Sequence, residues 1–274
     1  TMNALYADAE GVIADPLGEG VADLRARRVR FIGDPARRIK EDALRILRFF
    51  RFSTWYGRGP LDPEGLAAAR AARDQLGQLS RERVGAELAK LLDAPDPSDA
   101  VAAMEEAGIL GAVLPGAAAA GLPGLIAVER AADEPPAWPR RLAALGDADW
   151  TDALRLSRAQ ARHLSNVRRA LADQLPDHEA ACRHGAAAAT DAALLRAAAT
   201  GAAPPAGWRA AIAEGADAAF PVSGADLADI VAPGPAMGDL LQRLESAWIE
   251  SRFRLSRREL LDRAAREVTR KTSS

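Results

Sequence analysis

The sequence predicts a mainly α-helical protein with a short β-hairpin at its start. Three observations carry this. Hydrophobic residues make up 49 % of the 274, yet aromatics only 5 %. Much of the apolar content is Ala and Leu with few β-branched runs, a composition that favours helix over sheet. Helix-start signals also recur along the chain: Asp-Pro pairs at Asp34-Pro35, Asp62-Pro63 and Asp96-Pro97, and Ser…Glu/Gln boxes at Ser157…Gln160 and Ser256…Glu259.

Leu5-Tyr6-Ala7 and Val12-Ile13-Ala14, joined by Glu10-Gly11, read as the hairpin. A short helix is expected around Val21 to Arg27, and Val29 to Ile32 is strand-like. Asp34-Pro35 opens a helix expected to run unbroken to about Tyr56, before Gly57-Arg58-Gly59-Pro60. Further helices are expected near 80–92, 97–108, 122–132, 157–174, 187–199, 205–218, 236–250 and 257–268. Pro115 to Gly124, Glu134 to Pro139 and Gly201 to Gly207 read as turns between packed helices.

Charge is uneven. The chain carries a net charge of -2. Between Asp23 and Arg58, eleven basic residues stand against four acids, a local excess of +7 that attracts phosphate. Cys182 is the only cysteine, so no disulfide can form within the chain, which fits a reducing cytoplasm. No apolar run approaches the roughly 20 residues of a membrane span, so no membrane association is expected. His163, His178 and His184 do not group with enough partners for a zinc site. The five tryptophans, Trp55 among them, read as packing residues rather than stacking platforms.

The informative stretch is Glu41-Asp42-Ala43-Leu44-Arg45-Ile46-Leu47-Arg48, continuing to Arg51. On one helix Asp42 and Arg45 are neighbours at i and i+3, and Arg48 and Arg51 repeat the spacing. Spacing alone describes a surface helix with an intrahelical ion pair. Chemistry adds a second reading. A carboxylate beside a guanidinium presents an acceptor next to a donor. Adenine and cytosine present the matching amino donor and ring-nitrogen acceptor, whereas guanine and uracil present the reverse. Mismatched groups left unpaired cost about 1–3 kcal/mol each.

Several motifs together resemble those of class II tRNA nucleotidyltransferases, the CCA-adding enzymes, and the related bacterial poly(A) polymerases. That family carries RRDFT(I/M)NAL, DPxGGxxDL and GDPxxRxxEDxxRxLRxxRF. Here stand Thr1-Met2-Asn3-Ala4-Leu5, then Asp15-Pro16-Leu17-Gly18-Glu19-Gly20-Val21-Ala22-Asp23-Leu24, then Gly33-Asp34-Pro35 through Glu41-Asp42 to Arg51-Phe52. Glu82-Arg83 through Glu87-Leu88 resembles the family's ERxxxEL segment, and Gly224 to Leu227 with Pro233 to Gly238 resembles its tail. Glu19 departs from the family's usual glycine.

The resemblance implies a template-independent enzyme adding CCA to tRNA 3′ ends from CTP and ATP. A poly(A) polymerase is the near alternative, and a non-catalytic helical RNA-binding or scaffold protein the distant one. It implies that Asp42 and Arg45 read the incoming base, that Arg48 and Arg51 bind triphosphate and ribose, and that Arg83 and Glu87 brace the helices. It further implies partners in tRNA or another RNA 3′ end and in ATP and CTP, and Mg²⁺ bound by a head domain. The head's GGxVRD and DxD motifs find no match here. Asp147-Ala148-Asp149 reads instead as a turn and helix start. The chain is therefore expected to be a fragment lacking most of the head and inactive alone. The implied domains are 1–32 from the head, 33–95 neck, 96–200 body and 201–274 tail.

Overall fold

The computed structural model describes residues 5–272, with side chains described through Thr269. The Thr1 to Ala4 part of the first motif lies outside the described residues. Among the described residues, strand is confined to β1 (Tyr6–Ala7) and β2 (Ile13–Ala14), an antiparallel pair in which Tyr6 faces Ala14. Asp8 closes the turn, its carboxylate accepting from the amides of Glu10 and Val12. Helix accounts for most of the rest, as composition predicts.

α1 spans Gly20–Arg25. Its entry is tight, because a Cβ on Gly20 would sit 2.9 Å from Leu5 and 3.1 Å from Asp15. Glu19, the departure from the family glycine, has an ordinary φ of -119 and accepts a hydrogen bond from Arg30 at 2.8 Å. That position therefore tolerates a side chain, and here it carries an ion pair. Val29 to Ile32 forms no strand; Val29 and Phe31 instead pack on the helical core, and Phe31 stacks on Phe49 with centroids 5.4 Å apart.

The helix expected from Asp34 to Tyr56 is two helices, α2 (Pro35–Glu41) and α3 (Leu44–Tyr56). The break falls at Asp42, which is extended at φ -158 and ψ 106. Its carboxylate accepts from the Leu44 amide at 3.1 Å. Aspartate competes for backbone donors in this way, and so favours caps over helix interiors.

α4 (Pro63–Ala71), a 3₁₀ turn (Arg73–Gln78) and α5 (Arg81–Leu92) follow. Asp62 and Ser80 cap α4 and α5 through their side chains. α3 and α5 pack together through Ile46, Leu47, Phe50, Val84, Leu88 and Leu91, all in one buried cluster. The chain continues through α6 (Ser98–Glu106), α7 (Ile109–Val113), α8 (Gly121–Ala131), α9 (Trp138–Ala143) and α10 (Arg158–Ala172). The segment at 134–139, expected as a turn, runs straight into α9, which starts at Trp138-Pro139 with proline in its first turn.

Contacts divide the chain into two compact units, Thr1–Arg168 with Leu194–Pro204, and Arg169–Ala193 with Pro205–Ser274. The second unit contains α11 (Asp177–His184), α13 (Trp208–Asp217), a 3₁₀ turn (Gly224–Leu227), α14 (Pro235–Glu250) and α15 (Arg257–Thr272); α12 (Ala186–Thr200) lies across the division in sequence. α11 and α13 approach so closely that a Cβ on Gly215 would lie 2.0 Å from the His178 carbonyl oxygen. Leu240, Leu244, Trp248 and Leu260 form a separate core there. Both expected Ser…Gln/Glu capping boxes are present, at Ser157–Gln160 and Ser256–Glu259. In the second unit Asp226 also accepts from Arg257 and Ser223, with Arg257 the larger influence; its carboxyl is held down to about 2.

The first unit is locked by an ionic cluster that sequence reading did not find. Glu129 of α8 takes Arg140 on one oxygen at 2.7 Å and Arg141 on the other at 2.8 Å, all three side chains at most 3 % exposed. Arg141 also donates to the carbonyls of Leu92 and Ala94, at the end of α5. Removing one partner of such a cluster strands buried charge. Glu129→Gln should therefore lower unfolding free energy by about 3–5 kcal/mol in chemical denaturation. The exposed Arg130–Asp96 pair sets the contrast: Arg130→Ala should cost no more than about 1 kcal/mol.

Candidate nucleotide-recognition site

The basic stretch singled out in the sequence folds into the junction of α2, α3 and α5. Asp42 and Arg45 lie close in the chain, with the Arg45 amide donating to the Asp42 carbonyl at 3.1 Å. Their side chains, however, do not form the expected ion pair. Asp42 receives Arg83 of α5 at 2.8 Å, and Arg45 donates through Nη1 to Glu41 and to the Arg38 carbonyl. The helix break at Asp42 explains the exchange: an i, i+3 pair needs a continuous helix between its members. Two acid–guanidinium pairs thus stand side by side where the sequence suggested one.

Arg48 and Arg51 share one carboxylate. Glu87, buried in α5, accepts from Arg48 Nε at 3.3 Å and from Arg51 Nε at 2.6 Å. Both arginines spend only their Nε on it. Their Nη groups keep donors for an outside ligand, and Arg48 is 44 % exposed. The Arg51 guanidinium lies over the Phe52 ring, 4.2 Å from its centroid. The expectation that Arg83 and Glu87 brace the helices is met in a specific sense: each holds a candidate ligand-binding side chain from across the α3–α5 seam.

The charge states follow from these contacts. Burial pushes the Asp42 carboxyl up. The Leu44 amide, the Arg83 guanidinium and the charges of Arg83 and Arg48 outweigh it, and the net shift is downward. Glu41 is lowered chiefly by its hydrogen bond from Arg45, with the charges of Arg38, Arg45 and Arg37 added. Both are therefore carboxylates at neutral pH. Two ionised oxygens offer about four lone-pair sites, and Asp42 uses two on protein donors. Arg45 retains its Nε and Nη2 donors. An acceptor and a donor thus remain available at adjacent, partly exposed side chains.

Comparison with known proteins covers the α5 side of this junction, Arg83 and Glu87, but its family model does not reach Asp42 to Arg51. Residues 60–120 match the family model described as a probable RNA- and SrmB-binding site of polymerase A. A mitochondrial CCA tRNA nucleotidyltransferase 1 from Danio rerio is 42 % identical over 97 residues, 34 % of this chain and 22 % of that protein. The CCA-adding enzyme of Geobacillus stearothermophilus is 39 % identical over 118 residues, 43 % of this chain and 28 % of the relative. Over these stretches the chain is similar to CCA-adding enzymes and to the polymerase A family model. Its fold agrees along its whole length with the Bacillus stearothermophilus CCA-adding enzyme solved with CTP: TM-score 0.76, 23 % identity, 100 % of this chain and 74 % of the other. The Thermotoga maritima CCA-adding enzyme, solved with tRNA, gives a TM-score of 0.62 at 15 % identity, covering 98 % of this chain and 72 % of the other. The matched stretches of the curated relatives are thus about a quarter of their length.

CCA-adding enzymes are nucleotidyltransferases that use a divalent metal. The residues described here do not fit that group: they contain no cluster of three or more potential metal ligands. Asp149 is committed to capping, accepting from the Thr151 amide at 2.9 Å, and Asp147 lies in an exposed bend. Of the turn and helix start expected at Asp147 to Asp149, the structure has the bend but no helix start; turns follow at 151–155 and α10 begins only at Arg158. No helix among the described residues is long and apolar enough to cross a membrane.

Removing Arg83 should raise the Asp42 pKa, since it withdraws both a hydrogen bond and a charge. A depressed carboxyl favours folding above the ordinary carboxylate range, and that contribution fades as pH falls through the folded value. Arg83→Met should thus move the Asp42 titration, followed by carboxyl NMR, to higher pH. It should also shrink the share of acid sensitivity that Asp42 contributes.

Proposed function

We propose that this chain supplies the nucleotide-recognising neck and the RNA-binding helical body and tail of a template-independent nucleotidyltransferase. That enzyme completes tRNA 3′ ends with CCA, using CTP and ATP. The carrying observation is the junction at Asp42. There an ionised acceptor and an arginine donor sit at adjacent side chains, braced from α5, with two half-engaged arginines one and two turns along α3. An acceptor beside a donor suits the amino group and ring nitrogen of adenine and cytosine. It leaves the carbonyl and ring N–H of guanine and uracil mismatched.

In this reading Asp42 accepts from the exocyclic amino group and Arg45 donates to the ring nitrogen. Arg48 and Arg51 offer their Nη donors to triphosphate and ribose oxygens. Arg83 and Glu87 position these groups. Residues 33–95 act as the neck, 96–200 as the body and 201–274 as a tail that contacts tRNA, with 1–32 belonging to the nucleotidyltransferase head. Metal chemistry, supplied as Mg²⁺ by the head's carboxylates, lies outside this chain's described donor sets. The CTP, ATP and tRNA bound in solved CCA-adding enzymes of similar fold support the assignment. The single cysteine suits a cytoplasmic setting.

Four outcomes are expected. The 274 residues, incubated with labelled CTP and ATP, tRNA lacking CCA and Mg²⁺, should add no nucleotide above a protein-free blank. In the complete enzyme, Asp42→Ala should lose discrimination against UTP and GTP by about 5- to 150-fold in relative kcat/KM. Arg45→Lys should also damage base choice, since an ammonium lacks the planar fork of donors. Arg48→Ala should weaken ATP and CTP alike and leave base choice intact. If Asp42→Ala slows all four nucleotides equally and still excludes UTP and GTP, Asp42 is not a base reader.

A further inference from the structure

α3 continues for two turns beyond Arg48, and its outer face does not revert to an ordinary polar surface. At 100° per residue, Arg45, Arg48, Phe52, Trp55 and Tyr56 fall within an arc of about 100°. Trp55 is 42 % exposed and Tyr56 50 %. Trp150, Trp208 and Trp248 are buried and Trp138 is half-buried, as packing residues should be. Trp55 alone among the tryptophans breaks the expectation made from sequence.

The rings are organised rather than merely exposed. The Trp55 indole donates from Nε1 to the Lys90 carbonyl of α5 at 2.7 Å, which fixes its orientation. The Tyr56 ring lies 5.9 Å from Phe52, and Phe52 lies under the Arg51 guanidinium. A continuous stack thus leads from an arginine of the candidate site to the helix end. Cations surround that end. The Arg58 amide donates to the Arg27 carbonyl at 3.0 Å, bringing those residues together two positions beyond Tyr56. Lys90 stands at the Trp55 indole. Arg27, Arg58 and Lys90 are exposed and have no ion-pair partner among the described residues. Asp23, four residues before Arg27, is paired with Arg30.

We propose that Trp55 and Tyr56 form a stacking platform for unpaired bases of an RNA 3′ end, with Arg27, Arg58 and Lys90 drawing in its phosphates. Aromatic faces accept any base, and cations beside them hold the backbone; this pairing of features marks single-stranded nucleic-acid surfaces. The occupant is distinct from the nucleotide read at Asp42. Arg45 and Tyr56 are eleven residues apart, about 16 Å along the helix, several times the roughly 3.4 Å rise between stacked nucleotides. The platform thus holds the strand being extended while the junction holds the nucleotide to be added. The proposal rests on the RNA reading given above and extends it to residues outside the family's motifs.

The test uses the 274-residue chain and a short, unstructured, fluorescein-labelled RNA, with a blunt RNA duplex as the second arm. The single strand should quench Trp55 emission on binding, and the duplex should not. Trp55→Ala and Tyr56→Ala should each weaken single-strand binding by about 5- to 150-fold. Trp55→Phe keeps a stacking ring, so it should bind within about twofold of the wild type while losing the quench. This variant also guards against mistaking a folding defect for a binding defect. Binding with no quench and no loss in the alanine variants would overturn the platform and leave the RNA reading standing. No RNA binding by the wild-type chain would overturn both. A concentration-dependent dimer that Trp55→Ala dissolves would overturn it too, assigning the rings to a second copy.

Discussion

A single buried carboxylate organises the functional face of this protein. Glu87 lies in the seam between α3 and α5 and accepts one guanidinium nitrogen from each of Arg48 and Arg51. Leaving it unpaired in that seam would be costly, so both arginines are drawn to it and the two helices are held in one register. Everything else on the face follows from that register. One turn before Glu87 on α5, Arg83 reaches Asp42; one turn after it, the Lys90 carbonyl meets the Trp55 indole. Contacts from α5 at a spacing of three or four residues thus reach Asp42 just before α3, Arg48 and Arg51 within it, and Trp55 near its end.

The way the charges are shared matters as much as their placement. Had Arg48 and Arg51 spent all their donors on Glu87, they would be structural cations. Each instead gives one nitrogen to the carboxylate and keeps the others. The same economy holds at the junction, where Arg45 uses one nitrogen and Asp42 half its lone pairs. Groups held this way are oriented by the protein yet retain capacity for a ligand, so little ordering is left to be done on binding.

The ionic cluster of Glu129, Arg140 and Arg141 supports this face from behind. Arg141 donates to the carbonyls where α5 ends, while Ser80 caps the start of the same helix. The helix that carries Arg83, Glu87 and Lys90 is therefore held at both ends by polar contacts and along its length by Val84, Leu88 and Leu91. The candidate site is held in place from α5 and from the buried cluster behind its C-terminal end.

Local chemistry made much of this legible in one dimension. Asp-Pro starts, serine boxes and a composition rich in Ala and Leu announce helices, because capping and propensity act within a few residues. The motif strings around Asp42 and Arg83 likewise carry the resemblance to CCA-adding enzymes. Sequence did not show that Asp42 would break its helix, because the same aspartate is a tolerable interior residue and a strong cap. The choice was made by the Leu44 amide together with an arginine forty-one positions away. Nor could it show that Glu129 and Arg141 would be buried, since charged residues earn burial only through partners brought together by folding. Trp55 looked like core because tryptophan usually is. Its exposure depends on which face of α3 the α5 seam covers, and only tertiary packing decides that.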